Sequence, residues 1–180
     1  MRLGLKLVLT LSLFLGVLLA LAGTGLLTQY RSVVEAETEK RLTHFGKGMV
    51  TSLQTLMREG EAGLVRDWLK EAREQPDLSR IQILRPDGSL AFRDLRTQRR
   101  VNAFLGRRVF QRSPLPPERA EDIPASDLER AFSGQRVSRS RWGQDRVTQL
   151  IPLQSEPSCG RCHGYTEREV LGVIRVESGM

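Results

Sequence analysis

The hydrophobic and polar positions of this chain change character as it proceeds. Residues 7–27 (LVLTLSLFLGVLLALAGTGLL) carry no charge and are almost entirely apolar. That is about the length a helix needs to cross a bilayer core at roughly 1.5 Å rise per residue. From Tyr30 to about residue 59 good helix formers dominate and no proline occurs. There Leu42, Phe45, Met49, Leu53 and Leu56 recur at three- and four-residue steps, which predicts one long amphipathic helix leaving the membrane. Gly60 and Gly63 break it. Residues 61–75 predict a second amphipathic helix with Leu64, Val65, Trp68 and Leu69 on one side, ended by Pro76-Asp77.

The period then shortens. Residues 81–84 (IQIL) are strand-like, and Arg85-Pro86-Asp87-Gly88 has the chemistry of a tight turn: proline presets its φ and glycine accepts a positive one. Leu90-Ala91-Phe92 is expected to return as the partner strand. Residues 94–125 read as a long connection rich in arginine and proline. Ser126 is the expected N-cap of a short helix, residues 127–132, closed by Gly134. Residues 135–141 and 146–153 predict two strands around a Trp142-Gly143-Gln144-Asp145 turn, and residues 170–177 (VLGVIRVE) a last strand. Helices, two strands, a connection with a short helix, then three strands imply an α+β layout: an antiparallel sheet with helices on one side.

Arg2 and Lys6 precede the apolar run, and positive charge before a first span favours a cytoplasmic N-terminus and an exported remainder. A cleavable signal peptide is the rival, with Ala20-Leu21-Ala22 as an acceptable cleavage site. The apolar run continues past it to Leu27 and flows into a helical pattern, which favours an uncleaved anchor. Residues 1–29 are thus the cytoplasmic tip and membrane anchor, and residues 30–180 a domain in the periplasm. About 150 residues is one domain's worth.

The chain has two cysteines and two histidines, and three of the four lie in Cys159-Gly160-Arg161-Cys162-His163. C-x-x-C-H is the attachment signature of c-type haem. Two thiols at this spacing can add to the two vinyl groups of one haem, and the histidine behind them then binds the iron from the proximal side. A thioredoxin-like pair would need a βαβ context, which is missing. A closed zinc site wants four ligands, with only His44 left to join Cys159, Cys162 and His163. A plain disulfide loop would leave His163 without a role. Export supports haem attachment, which bacteria carry out beyond the cytoplasm.

The iron's other side is open to Met49, Met57, His44 or water; Met180 is terminal. At about 100° per residue, Met49 falls near the middle of the apolar stripe, Met57 on its flank and His44 on nearly the opposite face. Methionines on such a stripe are commonly core fillers. Methionine ligation would raise the reduction potential relative to bis-histidine, and an open site would admit small ligands such as NO or CO.

The pattern as a whole resembles the periplasmic haem-c sensor domains, PAS-like or Cache-like, of bacterial chemoreceptors and sensor histidine kinases. The matching features are the anchor running into a long helix that ends Leu56-Met57-Arg58-Glu59-Gly60, and the strand and turn at residues 81–88. Then Ile151-Pro152-Leu153 leads through Glu156-Pro157 into the haem motif, and the strand Gly172-Val173-Ile174-Arg175-Val176 follows. The resemblance implies a sheet of about five strands backed by the long helix, one haem between them, and signal input rather than catalysis. It favours Met57 as the distal ligand, with Met49 as the alternative. Such receptors continue into a second span, a relay and an output module, whereas this chain stops at Met180. It is then the input part of a longer protein, a subunit that signals through a partner, or a stand-alone cytochrome.

The net charge of +7 comes mostly from arginine. An exported domain does not meet nucleic acid, so the charge is expected to be a solvated surface, an attraction to anionic lipid, or a neutraliser of haem propionates. Arg96, Arg99 and Arg100, the densest cluster, are expected at the surface. The leading expectation is a membrane-anchored sensor of redox state or of a small haem ligand, working as a homodimer whose long helices pack together. The alternative is a monohaem c-type cytochrome passing electrons to a periplasmic redox partner. Catalysis is not expected, because His44 is the only histidine left for distal acid–base work.

Overall fold

The computed structural model describes residues 2–58, 64–75, 78–108, 113–120, 122–141, 146–160 and 169–179. The chain divides into two compact units, Met1–Glu37 and Thr38–Met180. Helix α1 (Arg2–Arg58) is continuous. Its first part is long and apolar enough to cross a membrane, and its leucines and valines from Leu7 to Val33 are exposed. The hydroxyls of Thr10, Thr24 and Thr28 donate back to carbonyls three or four residues earlier, which satisfies them where lipid would offer no partner.

In the second unit, residues from Thr38 onward continue α1 and are followed by α2 (Val65–Arg73), β1 (Arg80–Leu84), α3 (Arg96–Phe104), α4 (Ala125–Phe132), β2 (Val137–Arg141), β3 (Arg146–Gln154) and β4 (Val170–Gly179). The strands form one antiparallel sheet in the order β1-β4-β3-β2. Alternation of side chains across each strand sends Ile81, Ile83, Val147, Ile151, Leu153, Ile174 and Val176 to one face. There they form a core with Leu42, Met49 and Leu53 of α1 and Val65 and Leu69 of α2. The apolar stripe expected on the long helix is therefore its buried edge. Gly46 lets α1 approach β3: a Cβ at that position would overlap Ile151 Cδ1. Gln149, fully buried, donates to the Glu39 carbonyl (2.9 Å) and the Thr43 hydroxyl (3.1 Å), pinning the helix to β3.

The opposite face is covered as well. Leu84, Leu150 and Val173 meet Val137, Leu90 and Ala131, with Ile123, Leu128 and Phe132 packed around them. Helices thus lie on both faces of the sheet rather than on one, because α4 closes over the second. That face also carries a polar network. Arg175 donates to Asp122 (2.7 and 2.5 Å), to Gln82 (3.3 Å) and to Glu177.

Several sequence expectations need correction. The sheet has four strands among the described residues, not about five. Leu90 makes only an isolated bridge to Leu84. Its N–H goes instead to the Glu118 carbonyl, and Phe92, at φ 63°, turns the chain away from the ladder. Residues 94–125 hold helix α3, which buries Val101. The short helix starts at Ala125 with Pro124 as its cap, and Ser126 lies inside it, exposed. Pro124, at φ −59° and ψ 138°, already has the extended backbone an N-cap requires. Leu64 is exposed, not buried with Val65. The expected turn is present: Gly88 has φ 75° and donates to the Arg85 carbonyl at 2.9 Å. The breaks expected at Gly60, Gly63 and Pro76-Asp77, and the turn at residues 142–145, lie outside the described residues.

Candidate functional site: an apolar cavity beside Cys159

At one end of the sheet a cavity of about 270 Å³ opens between the last turns of α1 and the strands. Its lining comes from six places in the chain. Helix α1 contributes Leu53, Gln54, Met57 and Arg58. The β1 end and the following turn add Ile83, Arg85, Ala91 and Phe92, and α3 adds Thr97. Leu153 and Gln154 end β3, and Leu171 and Gly172 begin β4. Ser158 and Cys159 close the ring.

Cys159 is placed by local chemistry. After β3 the chain makes a single 3₁₀ turn, Pro157–Cys159, with Pro157 at its first position. The Cys159 N–H donates to the Glu156 carbonyl (2.9 Å), and the Glu156 N–H donates to the Cys159 sulfur (3.4 Å). That reciprocal pair fixes the thiol against the cavity. The Ser155 N–H donates to the Glu169 carbonyl (2.8 Å), which ties the two ends of the segment carrying the motif. Cys162 and His163 lie outside the described residues, as does Met180.

The candidate distal ligands fall in different places. Met57 lines the cavity. Met49 is buried in the core under the sheet, two turns earlier on α1, and does not line it. His44 is exposed.

The floor of the cavity depends on Gly172. A Cβ there would lie 3.3 Å from the Leu84 carbonyl oxygen and 3.5 Å from Ile83 Cγ2. An isolated glycine inside a strand pattern marks such a close approach, so its signal was available in the sequence. Arg85, Phe92 and Thr97 carried no comparable signal, since the positive φ of Phe92 and the placement of α3 bring them to the rim.

The polar side of the site is an ion pair. Arg85, whose side chain is 11% exposed, makes a bidentate contact to Asp94 (2.5 and 2.6 Å) and donates to the Thr97 hydroxyl (3.4 Å). Those hydrogen bonds hold the Asp94 carboxyl down at about 2, against the opposing effect of partial burial. Asp87, in the adjoining turn, is also lowered, first by the Ser89 hydroxyl and then by the Ser89 N–H. Arg96 sits 3.8 Å from both Asp87 and Asp94 and is exposed; Arg99 and Arg100 are also exposed.

The lining carries the kinds of side chain that a haem would need around it. Leu53, Ile83, Ala91, Phe92, Leu153 and Leu171 provide an apolar wall. A thiol at the motif's first position and a methionine thioether face the same space, and cations stand at its edge. The volume lies just under the roughly 300–1,000 Å³ in which clefts commonly hold cofactor-sized ligands. No family model and no curated protein matches this chain.

Proposed function

We propose that the chain is a membrane-anchored haem-c sensor domain, with one haem joined to Cys159 and Cys162 and held through His163. One observation carries this reading: the first cysteine of a C-x-x-C-H motif and Met57 line the same apolar cavity. Bound haem supplies a redox-active iron that also takes small diatomic ligands. The protein's residues do the rest. Leu53, Phe92, Leu153 and Leu171 exclude water and lower the local dielectric. The turn at Pro157–Cys159 orients the attacking thiol. Met57, on the last turn of α1, is the distal ligand. A change of iron state or ligand would alter the hold on Met57, so α1 is the element that registers it. A two-state response of that helix is the requirement for sensing. The chain acts as signal input, with catalysis left to other modules, in a periplasmic PAS- or Cache-like domain that works as a homodimer.

A second reading, a membrane-anchored monohaem cytochrome for periplasmic electron transfer, is favoured by the exposed arginines Arg58, Arg96, Arg99 and Arg100. Such cations can dock an acidic redox partner.

The deciding experiment is expression of the full chain with a cytochrome c maturation system, followed by oxidised and reduced spectra. Covalently retained haem is expected, together with the weak charge-transfer band of methionine–iron(III) ligation, lost in Met57→Ala and kept in Met49→Ala. No retained haem refutes the proposal. An unchanged spectrum in Met57→Ala refutes the distal assignment. Rapid exchange of electrons with periplasmic cytochromes, with no change in α1, would favour the carrier.

A further inference from the structure

We propose that Arg85 is the carboxylate-binding residue of the cavity, taking a propionate of the haem there, and that Asp94 positions it; this rests on the haem reading.

The strand register supplies the layout. Leu84 pairs with Val173, and Leu153 with Gly172. Gly172 is therefore the central floor position, with the end of β1 on one side and the end of β3 on the other. These two strands are separated by β4, which places them about 10 Å apart at two interstrand spacings. The thiol-bearing turn leaves from the end of β3. Arg85 is the first residue after β1. A flat ligand lying over Gly172 thus meets a thiol from one flanking strand and a guanidinium from the other. Haem has matching chemistry, since the vinyl groups that form thioethers and the two propionates occupy different edges of the macrocycle.

Arg85 also has the character of a built site. It is largely, though not fully, buried beside an apolar wall, where a charge is costly unless paired. Asp94 holds both terminal nitrogens and Thr97 one of them, so the planar fork is oriented in advance. A guanidinium suits a carboxylate, because its N–H groups lie in one plane and can be shared between two acceptors. Arg58, the other cation on the lining, is exposed at the end of α1, where its charge is screened by solvent.

The test uses the full chain matured with haem, with resonance Raman spectra and reduction potentials for Arg85→Met, Arg85→Lys, Asp94→Asn and Arg58→Met. The propionate bending band reports hydrogen bonds to those carboxylates. It is expected to shift in Arg85→Met, less in Arg85→Lys, and not in Arg58→Met. A cation beside the macrocycle favours the reduced state, which carries one more negative charge. The potential should therefore fall in Arg85→Met and rise in Asp94→Asn. If the wild-type chain retains haem but the band and the potential are unchanged in Arg85→Met, the assignment to Arg85 is overturned while the haem reading stands. A band that moves in Arg58→Met alone overturns it too. If Arg85→Met does not fold, an unmoved band in both Arg85→Lys and Asp94→Asn overturns it. A wild-type chain that retains no haem removes both.

Discussion

Arg175 is a buried charge held in a polar network on the sheet, and its removal should be costly. Its side chain is 2% exposed, and its guanidinium is held by Glu177, itself 4% exposed, and by Asp122. Burial opposes the arginine's charge, but the hydrogen bonds to Asp122 and Glu177 raise its pKa above the ordinary value. Deleting one partner of a buried pair costs about 3–5 kcal/mol, because the other charge is left uncompensated. Two groups soften that cost here. Thr148 donates to Glu177 at 3.2 Å, and Arg80 lies 3.7 Å from the same carboxylate. Asp122 is 45% exposed, so water can replace the arginine and its share is small. We therefore expect Arg175→Met to cost about 3 kcal/mol, the low end of that range. In urea, with a slope of about 2 kcal/mol/M, the unfolding midpoint should fall by about 1.5 M. Fluorescence of the two tryptophans would follow it. Replacing both buried charges, as Arg175→Met with Glu177→Leu, should cost only about 1 kcal/mol, because no unpaired carboxylate remains. A single variant that loses less than about 1 kcal/mol, or a double variant as unstable as the single, would refute the reasoning.

The close approach of α1 to β3 gives a second prediction. Gly46→Val should lower stability by about 2 kcal/mol through overpacking against Ile151. Gly46→Ala should cost less, since alanine returns up to about 1 kcal/mol of helix propensity. Thermal unfolding of the two variants checks the order, and a valine variant as stable as wild type would contradict the contact. A third concerns acid. Asp94 and Asp122 are both held at about 2, by hydrogen bonds from Arg85 and Arg175, against an ordinary value of 3.8. Lowered carboxyls stabilise the folded state above the unfolded value, and that contribution fades as pH falls from about 4 through about 2. Both are nearly half exposed, so the effect is small. Asp94→Asn should flatten the decline of the urea midpoint between pH 4 and pH 2, and equal slopes in wild type and variant would show that the pair contributes nothing.

The C-x-x-C-H spacing, the apolar span, the stripe on the long helix, the turn at residues 85–88 and four of the strands were legible in the sequence. Each is a local pattern, set by periodicity, spacing or the torsional limits of proline and glycine, and local patterns need no knowledge of what packs against them. The positions of Met57 and Met49 were not separable that way. Both sit on the same helix, and which one lines a cavity depends on where the core under the sheet ends and the gap beyond Leu53 begins. The same holds for α3, hidden in an arginine- and proline-rich stretch because it buries mainly Val101, and for Arg85, whose partner Asp94 is nine residues away and reaches it only because Phe92 turns the chain at φ 63°. The sequence alone determined which chemistry the chain carries. Only the tertiary structure decided which side chains meet, because strand register and the closing of α4 over the second face are contacts between residues far apart in the chain.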